Sequence, residues 1–136
     1  MLYESEVSAA VVNYLHAKGY HINKESKPTE KGIDIIAEND SEVLYIEVKG
    51  ETSFREGSKR FGKPFHSGQV THHVAHALYS TLKDFDKQTF GSKTRVAMAF
   101  SDTPEFQKRI MLISNSLSKL QIPVYLVGPD STVTML

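Results

Sequence analysis

A mixed β-sheet covered by helices on both faces, an α/β sandwich, is the fold class that this sequence predicts. Three observations lead there. Segments of helical period alternate with short apolar runs in the order α-β-β-β-α-β-α-β. The 136 residues have the length of one domain around one core, so a single domain over 1–136 is expected. Hydrophobic residues make up 40% and charged residues 24%, too apolar a balance for a disordered chain.

Residues 3 to 18 read as an amphipathic helix. Val7, Ala10, Val11, Tyr14 and Leu15 recur at spacings of three and four, and Gly19 supplies the stop. Tyr20-His21-Ile22 is a short extended piece, followed by a polar stretch, Asn23 to Lys31, that contains Pro28. Gly32 to Ala37 reads as a strand, Glu38-Asn39-Asp40-Ser41 as a turn, and Val43 to Lys49 as the next strand, ended by Gly50. The two strands form a hairpin. Residues 51 to 67 carry no usable period; a loop of this length in a small domain is more often functional than idle. Ser67 to Lys83 reads as a helix, with Val70, Val74, Ala77, Leu78 and Leu82 on its apolar side. Thr94 to Phe100 is a strand, Pro104 to Leu120 a helix with proline in its first turn, and Pro123 to Val127 the last strand. Val96, Met98 and Phe100 are core positions.

The absence of cysteine excludes disulfides, thiol chemistry and thiolate zinc sites. The longest apolar runs, such as Val124 to Val127, are far too short for a membrane span, and the first residues lack the pattern of a signal peptide. A reducing, cytoplasmic setting and no membrane partner are therefore expected. The formal net charge is zero, but residues 1–54 hold ten acids against five bases while residues 55–136 hold eleven bases against six acids. Bulk charge makes no case for nucleic acid; local features must.

Side chains alternate across a strand, so Leu44, Ile46 and Val48 share one face while Tyr45, Glu47 and Lys49 share the other. In the preceding strand, alternation puts Ile33, Ile35 and Ala37 on one face and Asp34 and Ile36 on the other. Hairpin pairing brings Asp34 within reach of Glu47 and Lys49. A plain exposed ion-pair face would contribute at most ~1 kcal/mol per pair. These charges, however, sit inside strongly apolar strands, where a buried acid is costly unless a metal or partner compensates it. Two converging carboxylates suit a hard divalent cation such as Mg²⁺, and a neighbouring lysine can orient a water and stabilise charge developing on phosphorus.

Gly32-Ile33-Asp34-Ile35-Ile36-Ala37, a turn, and Tyr45-Ile46-Glu47-Val48-Lys49-Gly50, behind a helix ending Lys18-Gly19-Tyr20, resemble the PD-(D/E)xK nuclease superfamily, which includes restriction endonucleases, archaeal Holliday-junction resolvases and Mrr-like enzymes. The resemblance is specific over residues 3 to 50. It implies a restriction-endonuclease-like α-β-β-β-α-β core and a Mg²⁺- or Mn²⁺-dependent deoxyribonuclease, an endonuclease, hydrolysing DNA, duplex or branched. It also implies Asp34, Glu47 and the Val48 carbonyl as metal ligands and Lys49 as the catalytic lysine. The signature proline is Ile33 here, a variation found in Mrr-like members. A first-helix glutamate of many members aligns with Ser8; Glu4, one turn earlier and about 40° round the helix, could serve from the same face, whereas Glu6 is expected in solvent. Gln69, opening the helix after the loop, resembles a glutamine that several members place near the water or the DNA.

Two further features bear on function. Arg55, Lys59, Arg60 and Lys63, interleaved with Phe54, Phe61 and Phe65, follow Lys49 directly and suit a phosphodiester backbone and unstacked bases. His72 and His76 share a helix face and raise a zinc alternative, but the sequence has no metalloprotease glutamate between them. So small a chain has little surface to grip a duplex, so a symmetric homodimer is expected. The alternative is a catalytically weak or inactive module of nuclease fold that binds nucleic acid or a protein.

Overall fold

Ten elements follow one another in a computed structural model that describes residues 1–27, 32–52, 67–87 and 93–136. They are α1 (Glu4–Ala17), β1 (His21–Glu25), β2 (Ile35–Glu38), β3 (Val43–Lys49), α2 (Ser67–Lys87), β4 (Thr94–Ser101), α3 (Pro104–Met111), α4 (Ser114–Lys119), β5 (Val124–Val127) and β6 (Val133–Met135). The six strands lie in one sheet in chain order, β1 to β6. β1–β2, β2–β3 and β5–β6 pair antiparallel; β3–β4 and β4–β5 pair parallel. The molecule is thus a mixed α/β protein.

The parallel steps fix the layers. Two successive crossovers advancing the same way across a sheet leave their helices on one face, and α2 and α3 pack there with Leu117 of α4 around Tyr45, Val96, Met98, Phe100, Leu126, Phe106 and Ile110. On the other face α1 packs Val7, Ala10, Val11 and Leu15 against Ile35, Ala37, Leu44, Ile46, Val48 and Ala97. Val43 to Val48 and Val96 to Ser101 are buried throughout because both faces are covered, which is why these strands read as continuous apolar runs. Gly19, at φ +92°, ends α1 in the left-handed region, and the Tyr20 N–H reaches back to the Leu15 carbonyl at 3.0 Å.

Several elements differ from the sequence expectation. β2 begins at Ile35 rather than Gly32, because residues 32–34 bend, with Gly32 at φ +101°. Ile33 therefore packs towards α2 and does not share the face of Ile35 and Ala37. The helix expected over 104–120 is two, broken after Met111. Ser114 there bonds the Met111 carbonyl at 3.0 Å, a local side-chain bond that competes with the helix ladder. α2 continues to Lys87, since nothing in Asp84-Phe85-Asp86-Lys87 stops a helix. β6 was not foreseen: the turn after β5 closes through Gly128 N–H to the Thr132 carbonyl, 2.9 Å, and returns a three-residue strand.

The start of α1 is tied to the end of β3. The Leu2 N–H donates to Glu51 Oε1 at 2.8 Å, and the Glu51 N–H donates to the Leu2 carbonyl at 2.9 Å. Gly50 permits this approach: a Cβ there would collide with the Glu4 backbone nitrogen and stand 2.7 Å from Tyr3 carbonyl carbon and 2.9 Å from Leu2 oxygen. Gly50→Ala is accordingly expected to cost about 1–3 kcal/mol, read as a lowered midpoint in chemical denaturation; an unchanged midpoint would show that the N-terminal segment moves aside without loss.

Candidate active site

The β2–β3 register places the first acid. Ile35 pairs with Ile46, so one step further along the hairpin Asp34 comes opposite Glu47. The strand bends away there, and the Asp34 side chain takes the backbone donor that the next rung would have used: Val48 N–H donates to Asp34 Oδ2 at 2.8 Å. Two bonds from Ser26 hold the bend, its N–H to the Asp34 carbonyl at 2.8 Å and its hydroxyl to the Ile33 carbonyl at 2.9 Å. Glu47, paired with Met98 of β4, lies on the α2 side of the sheet, and its carboxyl is hydrogen-bonded to that of Asp34.

These groups open into a cleft of about 690 Å³ between the β1–β3 end of the sheet and α2. Glu4, Asp34, Glu47 and Lys49 all line it, together with Lys24, Tyr45, His76, Ser80, Lys83, Asp84 and Lys87. Glu4 arrives because the Leu2–Glu51 clasp brings the first turn of α1 over the end of β3. Ser8, one turn on, faces the core instead: it is buried, and its hydroxyl makes no hydrogen bond among the described residues. Glu6 is exposed and its carboxylate accepts the Tyr3 N–H at 3.0 Å, an N-terminal capping role. Val48 turns its side chain into the α1 core, leaving only its main chain at the site. Gln69 does not line the cleft; it sits two turns before His76. Arg55, Lys59, Arg60 and Lys63, with the three phenylalanines, lie outside the described residues.

Burial and crowding set the electrostatics. Burial, then Asp34 and Asp84, push the Glu47 carboxyl up to about 8, against a smaller opposing effect of Lys49. Burial also raises Asp34, offset in part by the Val48 N–H and by the charges of Lys49 and Lys24. The donors around Asp34 favour its ionised form, so the crowding of the pair falls more heavily on Glu47. Glu4 is pushed up to about 7, by burial first and Asp34 second. Among the described residues, no three or more carboxylate or imidazole groups already stand as a cage for an ion. Asp34 and Glu47 hold each other instead, and the His72–His76 pair has no third ligand among the described residues. His73 is half-buried and pushed down to about 4, by burial and then by Lys49.

Sequence reasoning missed several groups of the cleft, Lys24, Asp84 and the contact of His76 among them. Ladder regularity is broken between Ile22 and Lys24, where Ile22 pairs with Ala37 and Lys24 with Ile36. This bulge turns Lys24 from the α1 side to the cleft side, which alternation alone cannot foresee. Asp84 lies beyond the expected helix end, yet it continues the inward stripe Val70, Val74, Ala77, Thr81 at spacings of three and four. An acid in line with such a stripe was the available signal. His76 was visible on its helix but not its contact, Lys49 Nζ to His76 Nδ1 at 3.1 Å. A second hollow of about 570 Å³ between α3, α4 and β5 has no charged side chain in its lining among the described residues.

The family described as Protein NO VEIN, C-terminal, matches residues 3–62, a segment that holds Glu4, Asp34, Glu47 and Lys49 but is less than half of the chain. An XisH family protein from Nostoc punctiforme PCC 73102 is similar in structure, with a TM-score of 0.57 and 15% identity over 95% of this chain and 96% of that one. An fdxN element excision controlling factor protein from Anabaena variabilis gives a TM-score of 0.57 and 14% identity over 95% of both chains. No curated protein matches. At such identities the two structures speak for the fold. No helix among the described residues is long and apolar enough to cross a membrane.

The raised Glu47 carboxyl has a consequence for the metal-free protein. A carboxyl whose folded value exceeds its unfolded one favours folding below the unfolded value and loses that contribution as pH rises through the folded one. Relative to Glu47→Gln, wild type in chelator is therefore expected to lose thermal stability between about pH 5 and about pH 8. Parallel melting curves for the two proteins across that range would show that Glu47 is not protonated at neutral pH.

Proposed function

We propose that the chain, as one domain over residues 1–136, is a Mg²⁺- or Mn²⁺-dependent nuclease of the PD-(D/E)xK type that hydrolyses DNA phosphodiester bonds. The observation that carries this reading is the meeting of Asp34, Glu47, Lys49 and Glu4 in one open cleft. The similarity to an excision controlling factor is in keeping with it.

The donor set fits a hard cation. Asp34 and Glu47 offer oxygen, Glu4 and the Val48 carbonyl can add to it, and Mg²⁺ needs only one or two carboxylates because it keeps several waters. A cation bound by Asp34 and Glu47 would displace the proton they share, relieving the crowding that raises Glu47. When bound, the ion supplies Lewis acidity at a phosphoryl oxygen and a water of lowered pKa. Lys49 lines the same cleft as the carboxylates, so its ammonium can orient the attacking water and hold the charge that gathers on the phosphoryl oxygens. The Val48 N–H donates to Asp34 Oδ2 at 2.8 Å and so directs that carboxylate towards the cleft. The basic segment with Arg55, Lys59, Arg60 and Lys63 would contact the DNA backbone beside the cleft, and a homodimer would let two such sites address two strands.

Ser8 favours a second reading. Where many PD-(D/E)xK members carry an acid, this chain has a small buried hydroxyl. If Glu4 does not take over that role, the protein is a binding module with weak or no turnover. A cleavage assay titrated with Mg²⁺ and Mn²⁺ on plasmid, linear, single-stranded and branched DNA separates the two. Glu47→Ala and Lys49→Ala are each expected to lower cleavage by about a hundredfold or more, with circular dichroism unchanged. Variants that cut as fast as wild type would place the activity elsewhere; wild type that binds DNA without cutting it would leave the binding module.

A further inference from the structure

α2 carries a polar edge along the cleft, with His76, Ser80, Lys83 and Lys87 at spacings of four, three and four. His76 comes first on that edge and meets the lysine of β3: Lys49 Nζ stands 3.1 Å from His76 Nδ1. An ammonium has three donors and no acceptor, so the imidazole must accept at Nδ1 and carry its own proton on Nε2. The charge environment agrees. Lys49 first, then burial, His72 and Lys83, hold the ring below its usual range, while Asp34 opposes them. The backbone under His76 is firmly placed, since Val74 and Ala77 on either side of it are buried against the sheet.

We infer that His76 is a positioning residue: its Nδ1 accepts a hydrogen bond from the Lys49 ammonium and fixes where that side chain stands in the cleft it shares with Asp34 and Glu47. The inference rests on the nuclease reading. A lysine ends a flexible four-carbon stem and must give up rotamer freedom to hold one position. The bond to His76 takes up one of the three ammonium donors and leaves two for the water and the phosphoryl oxygens. Nothing in the strand pair itself provides this restraint, because Asp34 and Glu47 are engaged with each other and with Val48. α2 thereby does more than cover the sheet: it sets where the lysine charge stands.

The test uses the whole chain with Mn²⁺ and a labelled DNA duplex, comparing His76→Leu and His76→Asn with wild type. His76→Leu removes the acceptor, and its kcat is expected to fall on the order of tenfold or more with KM unchanged. His76→Asn can set its Oδ1 where Nδ1 stood and should recover most of that loss. Melting temperatures of the three proteins should agree. In metal-free protein, nitrogen NMR of the histidines should find the His76 Nδ1 unprotonated, with a resonance that moves in Lys49→Met. If wild type cuts DNA and His76→Leu keeps its kcat, the inference is wrong while the nuclease reading stands. It is also overturned if His76→Asn is as slow as His76→Leu, or if the loss tracks a lowered melting temperature. A wild type that cuts nothing ends the nuclease reading, and this role with it.

Discussion

The hydrogen bond from the Val48 N–H to the Asp34 carboxylate is the constraint on which the site's geometry depends. It sits where the β2–β3 ladder stops being regular. Up to Ile35 and Ile46 the two strands exchange ordinary backbone bonds; one residue further, a side chain takes over the work of a carbonyl. That substitution ends the strand, satisfies a buried donor and points a carboxyl at Glu47. A pairing register displaced by a single residue would send Glu47 and Lys49 to the α1 face. The covering of both faces by helices is what makes such a slip unfavourable, because Leu44, Ile46 and Val48 would then lose the core that α1 provides.

The same arrangement is costly for the folded chain. Glu47 is nine-tenths buried beside Asp34, with Asp84 also facing it from α2. Three acids drawn towards one another between a sheet and a helix do not stabilise a protein; they raise one another's affinity for protons. Lysines around the cleft temper this without abolishing it. Such local conflict, surrounded by strands whose every other residue agrees with the fold, is the usual mark of a place shaped by chemistry and not by packing.

Much of this was legible in the sequence because it follows from periods. The helix over the first residues, the hairpin, and the sharing of a face by Glu47 and Lys49 come from counting in threes, fours and twos. What stayed hidden depends on departures from period. Lys24 reaches the cleft through a bulge, and Ile33 leaves its expected face through a bend at Gly32. Asp84 was lost to a helix end placed one turn early, and the split between α3 and α4 to a serine that bonds locally. The pairing of His76 with Lys49 joins residues 27 apart in sequence and could not be read from either neighbourhood.

Gly50 and the clasp it admits tie the first residues of the chain to the fiftieth. The carboxylates at positions 4, 34 and 47 therefore belong to a circuit that closes only when the N-terminal segment returns to the end of β3. In a growing polypeptide shorter than this, the apolar stripe of α1 has no sheet to cover and the acids have no cluster to join. The order of synthesis and the order of assembly thus run in opposite senses: the first of these acids to be made waits for the last stretch of the hairpin before it has anything to face.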